Sequence, residues 1–157
     1  MPEITPERWG DLYDRAFPQV YRALVAATFD RERALDGLHD AFEEGLRHPP
    51  ADDRNLEGWL YRVALRKTRR GLFRARREVS IGEASSTDEV AAVIQRLEVG
   101  RLLALLTERQ RAIVVAHYYL GLTQDQIAES LGVRRGTVSA TVSQSLAHMR
   151  EGWTARG

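Results

Sequence analysis

The sequence contains no cysteine, so no disulfide framework or thiolate metal site can be built from it, and a reducing compartment is favoured. It also lacks a long hydrophobic run. The longest nearly apolar stretch, Ala112 to Leu122, holds a histidine and two tyrosines and falls far short of the roughly 20 residues a membrane span requires. The opening residues, Met1-Pro2-Glu3-Ile4-Thr5-Pro6-Glu7, pair no basic region with an apolar one, so no secretory leader is expected. These absences predict a cytoplasmic chain without membrane insertion. Lysine is nearly absent as well: of 23 basic side chains only Lys67 is not arginine. Arginine's planar fork suits phosphates and base edges, yet a GC-rich coding sequence produces the same bias, and that explanation carries more weight.

The constellations that support catalysis are also missing. The four histidines, His39, His48, His117 and His148, are scattered, and no His-Glu-x-x-His or cysteine ligand set exists. His117 lies in an apolar helical stretch and reads as packed rather than liganding. Glu43 and Glu44 are adjacent on a helix, so they point in different directions and make a poor acid/base pair. There is no glycine-rich phosphate loop and no nucleophile-elbow serine. The expectation is a protein that is not an enzyme, with no cofactor and no metal.

What the sequence does have is charge sorted along its length. The net charge of the 157 residues is +1, but residues 1–60 carry a net −6, residues 61–77 a net +8 with no acid, residues 78–99 a net −4 and residues 100–157 a net +3. A near-neutral total with one dense basic block points to a localised polyanion contact.

Almost everything reads as helix. Thr5 is placed as an N-cap, Pro6 at the first helical position, and Ile4 against Trp9 as a staple. Pro18 is expected to mark a fresh turn or a kink. Val20, Leu24 and Ala27, then Leu35, Leu38, Phe42 and Leu46, recur at helical spacing. His48-Pro49-Pro50-Ala51-Asp52-Asp53-Arg54-Asn55 reads as a loop, with a further helix from about Leu56. No alternating strand pattern and no fixed-period repeat is present. The fold class is all-α. Glu78 to Asp88 holds Gly82, three serines and a threonine, a composition that cannot bury a core and reads as a linker. Ser86-Thr87-Asp88-Glu89 then forms a capping box ahead of Val90, Val93, Ile94 and Leu97. Two small helical domains follow, residues 1–77 and 90–157, joined by a linker over 78–89; one continuous bundle with a polar loop is the alternative.

The sharpest motif lies in the second half. Thr123 and Gln126 form a capping box, Leu122 can staple against Ile127, Ala128 is small where two helices must cross, and Gly132 permits the left-handed residue that ends the first helix. Val138, Val142, Leu146 and Met149 share one face of a second helix, at about residues 135–150. This is a helix-turn-helix whose second helix can enter a major groove. The basic block is the second signal. Leu56, Trp59, Leu60 and Val63 form a core-facing stripe, while Arg62, Arg66 and Arg69 fall on another face. Guanidinium groups contact phosphates, and exposed aromatics such as Tyr61 and Phe73 can stack on unpaired bases, unless they cover their own core.

Taken in order, these parts resemble the bacterial sigma factors of the extracytoplasmic-function type, over almost the full length. Ala34-Leu35-Asp36-Gly37-Leu38-His39-Asp40-Ala41-Phe42 is similar to that family's polymerase-clamp-binding segment, with His39 where glutamine is usual. Trp59-Leu60-Tyr61-Arg62-Val63-Ala64 matches the next signature. Leu106-Thr107-Glu108-Arg109-Gln110-Arg111 resembles Leu-Pro-x-x-Gln-Arg, and Leu122 through Val138 resembles the final helix-turn-helix.

The resemblance implies a mechanism of binding. A region 2-like domain (1–77) would dock on core RNA polymerase through Asp36, His39, Asp40 and Phe42, carboxylates pairing with partner arginines. It would hold the −10 strand through the loop at Asp53, Arg54 and Asn55, then Trp59, Arg62, Arg66, Lys67, Arg69 and Arg70, a flipped base costing a few kcal/mol of unstacking. A region 4-like domain (90–157) would read the −35 element through Arg134, Arg135, Gly136, Thr137, Ser139, Ala140, Ser143 and Gln144. The partners implied are the clamp and flap of core RNA polymerase and promoter DNA; an anti-sigma factor is left open.

The departures from the family pattern matter too. Arg66 stands where asparagine is usual and Arg70 where aspartate is frequent. Ser139, Thr141 and Gln144 replace three basic positions of the recognition helix, and Arg134 replaces the usual serine cap. Two other readings stay open: a free-standing helix-turn-helix regulator, and a sigma-like protein that binds polymerase without initiating.

Overall fold

The computed structural model describes residues 4–51, 54–78, with side chains as far as Thr68, and 98–155. Every regular element among them is an α-helix. Helix α1, Pro6–Thr28, starts as its chemistry dictates: Thr5 is extended, its hydroxyl accepts from the Arg8 N–H at 3.3 Å, and Pro6 supplies the first helical residue. Pro18 does not break it. The residue is exposed, where water can satisfy the carbonyl that proline leaves without a donor, and α1 continues for ten more residues.

The end of α1 has no glycine. Phe29 takes the left-handed conformation instead, with φ 55°, and its N–H closes on the Val25 carbonyl at 2.8 Å. Asp30 then caps α2, Arg31–Arg47, accepting from the Arg33 N–H at 3.1 Å. The usual sequence marker of such a helix end, a glycine or asparagine, is missing at this break. Helix α3, Leu56–Glu78, follows the proline-containing loop.

These three helices enclose a core of aromatic rings and small residues. Trp9 is buried, donates its indole N–H to the Phe42 carbonyl at 3.0 Å, and meets Phe42 and Trp59 ring to ring. Gly45 on α2 lies under that indole; a Cβ there would fall 1.9 Å from the Trp9 ring. The buried stripe of α2 is Ala34, Gly37, Leu38, Ala41 and Gly45. Leu46, expected on it, is 45% exposed. Close approach of α2 to its neighbours needs small residues, and the large leucine falls one position outside the seam.

The second half is built of three short helices, α4, Glu98–Leu103, α5, Glu108–Tyr118, and α6, Gln124–Leu131, and one long one, α7, Arg135–Thr154. Thr107 with Gln110 and Thr123 with Gln126 form full reciprocal capping boxes at the starts of α5 and α6, each satisfying two otherwise orphaned N–H groups. Gly132, φ 66°, ends α6. Val138 and Val142 of α7 are buried, with Leu146 and Met149 packed partly against them. The linker expected over 78–89 and the capping box at residues 86–89 lie outside the described residues, Glu78 apart. Helix α5 packs on α1, and α6 on α3, so the two halves are in direct contact.

Candidate nucleic-acid interface

Three surfaces carry the residues that the sequence singled out. The first is on α2. Asp36, His39 and Asp40 are all exposed, as spacings of three and four residues on one helix face require. Phe42 is not with them. Six residues on from Asp36 is about 240° around a helix, and the Phe42 ring turns inward, 4.5 Å from Tyr13 and stacked 6.2 Å from Trp9. It supports the helix that presents the carboxylates. Burial, and secondarily the charge of Asp14, pushes the neighbouring Tyr13 phenol up to about 12.

The second surface is the loop before α3 and the start of that helix. Asp53 lies outside the described residues, while Arg54 is exposed in the turn. The Asn55 amide folds over Gly58, where any Cβ would stand 2.6 Å from its Oδ1, and the Asn55 carbonyl takes the Trp59 N–H at 3.0 Å. Pro50, Ala51, Asn55, Trp59 and Arg62, together with Glu129 and Ser130 of α6, line an open cavity of about 230 Å³. Arg62 is half-buried and Arg66 exposed. Lys67 approaches Glu44 on α2, Nζ to Oε2 3.8 Å. Arg69 and Arg70 belong to α3, but their side chains, and that of Phe73, lie outside the described set.

Tyr61 corrects one expectation. It is 1% exposed and its hydroxyl donates to the Ala112 carbonyl at 2.7 Å, so it cannot stack on a base in this arrangement. Its i−2 and i+2 neighbours, Trp59 and Val63, face the three-helix core, and the side between them is covered by the second half of the chain. No pattern within α3 alone could signal that.

The third surface is the start of α7. Arg134 is extended and makes no side-chain cap bond. Arg134, Arg135, Gly136, Thr137, Ala140, Ser143 and Gln144 are exposed and Ser139 is half-exposed, while Val138, Val142 and Ser145 face inward. Arg135 Nε stands 3.6 Å from Asp125 Oδ1, in an exposed pair of small energetic weight. His117 is packed as expected, with Nδ1 2.9 Å from the Leu122 carbonyl. No cluster of potential metal ligands occurs among the described residues, and no helix there is long and apolar enough to cross a membrane.

Sequence reasoning missed two groups. One is a set of exposed apolar side chains, Val99, Leu105 and Trp153, with Leu105 lying over Gly152, where a Cβ would come within 2.3 Å of it. The other is Phe29, Arg33, Glu108 and Arg111, which join the halves. Arg111 is held below its ordinary pKa chiefly by burial, against a raising influence from Glu108.

The family model described as Sigma-70, region 4 matches residues 96–149. The chain is 29% identical over 150 residues to the ECF RNA polymerase sigma factor SigL of Mycobacterium tuberculosis, covering 88% of this chain and 85% of that one. It is 32% identical over 106 residues to the RNA polymerase sigma-E factor of Streptomyces avermitilis, 64% of this chain and 59% of that one. Among solved structures it resembles the sigma factor RpoE in complex with the anti-sigma factor NepR from Bartonella quintana, at TM-score 0.68 and 16% identity over 87% and 90% of the two chains. It also resembles CnrH in complex with the cytosolic domain of CnrY, at TM-score 0.63 and 22% identity over 96% and 90%.

Proposed function

Since the chain belongs to the extracytoplasmic-function branch of the sigma-70 RNA polymerase sigma factors, and so serves transcription initiation, we propose how its surfaces divide that work. Residues 1–77 act as the polymerase-binding and −10-reading half, and residues 90–157 as the −35-reading half, with the intervening linker joining them. The role is binding throughout, carried out in the cytoplasm, with the chemistry of RNA synthesis left to polymerase.

The carrying observation is the exposure of Asp36, His39 and Asp40 on one face of α2 while Phe42 is locked beneath them. Carboxylates held this way can form charge-assisted bonds to arginines of the polymerase clamp. Asn55, Trp59 and Arg62, around their cavity, are assigned to an unstacked −10 base, with Arg54, Arg66, Arg69 and Arg70 on the adjoining phosphates. Lys67, drawn toward Glu44, is the weakest of these cations. The exposed apolar side chains of Val99, Leu105 and Trp153 are assigned to the polymerase flap. The NepR and CnrY complexes of the structural neighbours support adding an anti-sigma protein to the partners.

Promoter contact by α7 rests on fewer phosphate-binding cations than relatives use. Introducing Ser139→Lys and Thr141→Arg together should steepen the dependence of log affinity on log salt by about 1.8, at about 0.9 per contact; binding of a −35 duplex at several salt concentrations measures it. The test of the whole assignment is co-elution with bacterial core RNA polymerase beside an Asp36→Arg/Asp40→Arg variant. A complex formed by the wild type and lost in the variant is expected. Failure of the wild type to co-elute, with duplex DNA still bound, would leave a free-standing regulator instead.

A further inference from the structure

At the start of α7 few side chains are able to hydrogen-bond a base. Recognition helices use their N-terminal residues on base edges, and the exposed positions there are Arg134, Arg135, Gly136, Thr137 and Ala140. Gly136 has no side chain, and open space surrounds the place where a Cβ would stand. Ala140 offers one methyl group. Gln144 is exposed as well, but it lies about 13 Å further down the helix axis than Arg135, at about 1.5 Å per residue. Long polar reach at the helix start is therefore confined to two arginines. Arg134 precedes the helix in extended backbone, while Arg135 is its first residue. Side chains on a helix lean toward its N-terminus, so that of Arg135 projects past the helix end.

Arg135 has a carboxylate beside it: its Nε stands 3.6 Å from Asp125 Oδ1 on α6. For affinity alone that carboxylate is badly placed, because a negative charge next to the reading end repels phosphates. The side chains are 68% and 72% exposed, so the pair contributes little in the free chain. In a groove that excludes water the same attraction strengthens. Both residues belong to one firm unit. Gly132 turns the chain at φ 66°, the Val133 N–H donates to the Ala128 carbonyl at 3.0 Å, and Ile127 and Val138 are fully buried.

The chemistry of the fork gives this placement a consequence. A guanidinium carries its N–H groups in a planar, fixed arrangement. A carboxylate on the Nε side leaves the end-on Nη1 and Nη2 pair for a two-bond contact with O6 and N7 of guanine. We infer that Arg135 is the specificity-determining residue of α7, reading one guanine of the −35 element, and that Asp125 is the positioning residue that aims it. Both roles rest on the −35 reading assigned to α7 above. Asp125 also lies in the first turn of α6, where a carboxylate suits the helix dipole, so the test must separate specificity from stability.

The test uses the full chain bound to core RNA polymerase and a duplex library randomised across the −35 region. Selection should return one position fixed as guanine, and replacing that guanine by adenine should weaken binding about 10–100-fold, the discrimination that one bidentate contact gives. Arg135→Lys keeps the charge and loses the fork, so the ratio should fall to about threefold or less, with the salt slope unchanged. For Asp125→Asn, charge alone predicts tighter binding to every duplex by a common factor, with the ratio unchanged. Positioning predicts a guanine preference reduced by at least about fivefold, largely restored in Asp125→Glu. A role confined to the helix terminus would shift the urea unfolding midpoint of Asp125→Asn and leave its ratio at the wild-type value, which would overturn the positioning. A selected element without guanine, or a ratio unmoved in Arg135→Lys, would overturn the reading by Arg135. Polymerase co-elution is scored separately: a complex that forms but selects no guanine overturns the roles of Arg135 and Asp125 and leaves the sigma-factor reading standing.

Discussion

The two halves of the chain define their helices by different means. In the first, three helices of 23, 17 and 23 residues pack through rings and small residues from distant positions: Trp9 of α1 over Gly45 of α2, with Phe42 and Trp59 around it. In the second, α5 and α6, with 11 and 8 residues, would be marginal alone, and their ends are defined by reciprocal capping boxes and by Gly132 in the left-handed conformation. Long helices tolerate weak punctuation because tertiary burial holds them. Short ones require their termini to be satisfied locally before packing can begin.

That contrast can be broken most severely at Trp9. Trp9→Ala removes a fully buried ring and its bond to the Phe42 carbonyl, and should cost about 3–5 kcal/mol, read from urea unfolding followed by far-UV circular dichroism. In the C-terminal half the corresponding weak point is local. Thr123→Ala deletes the acceptor for the Gln126 N–H, 3.1 Å away, with an expected loss of about 1 kcal/mol in the same measurement. Arg134→Ser sharpens the comparison from the opposite direction. It supplies the one cap that α7 lacks, and a gain of up to about 1 kcal/mol is expected; no gain in thermal midpoint would show that this terminus is already satisfied.

The change that is smallest at pH 7 is one that depends on pH. Tyr13 has its phenol raised from 10.0 to about 12 by burial and by Asp14, so folding favours the neutral form. Its contribution is complete below pH 10 and is lost as pH rises toward 12, since the unfolded chain ionises first. Tyr13→Phe should abolish the part of the stability slope between pH 10 and 12 that comes from this group. At pH 7 it should be neutral or slightly stabilising, because the buried hydroxyl has no hydrogen-bond partner among the described residues. Unfolding midpoints across that pH range, wild type beside variant, measure both.

Legibility in the sequence follows the same division. Thr5-Pro6, Thr123 with Gln126, and Gly132 act within a few residues of themselves, and each does in the structure what its spacing indicates. Val138 and Val142 face inward as a period of 3.6 requires. The carboxylates at Asp36 and Asp40 share an exposed face for the same reason. By contrast, Pro18 left α1 unbroken, Leu46 fell outside its seam, and the α1–α2 break came at Phe29, a residue with no intrinsic preference for a positive φ. In each case a neighbour from elsewhere in the chain, or water at an exposed position, overrode the local signal.

Sequence alone determined the all-helical class, the helix-turn-helix and the separation of a basic block from acidic flanks, because periodicity, capping and charge are properties of short windows. Only the tertiary structure decided that Phe42 supports the carboxylate face rather than sharing it, that Tyr61 is buried, and that Arg111 satisfies the end of α1 across 84 residues of chain. Those outcomes depend on which carbonyl, ring or cavity a remote element brings within about 3–4 Å, and no window of sequence contains that distance.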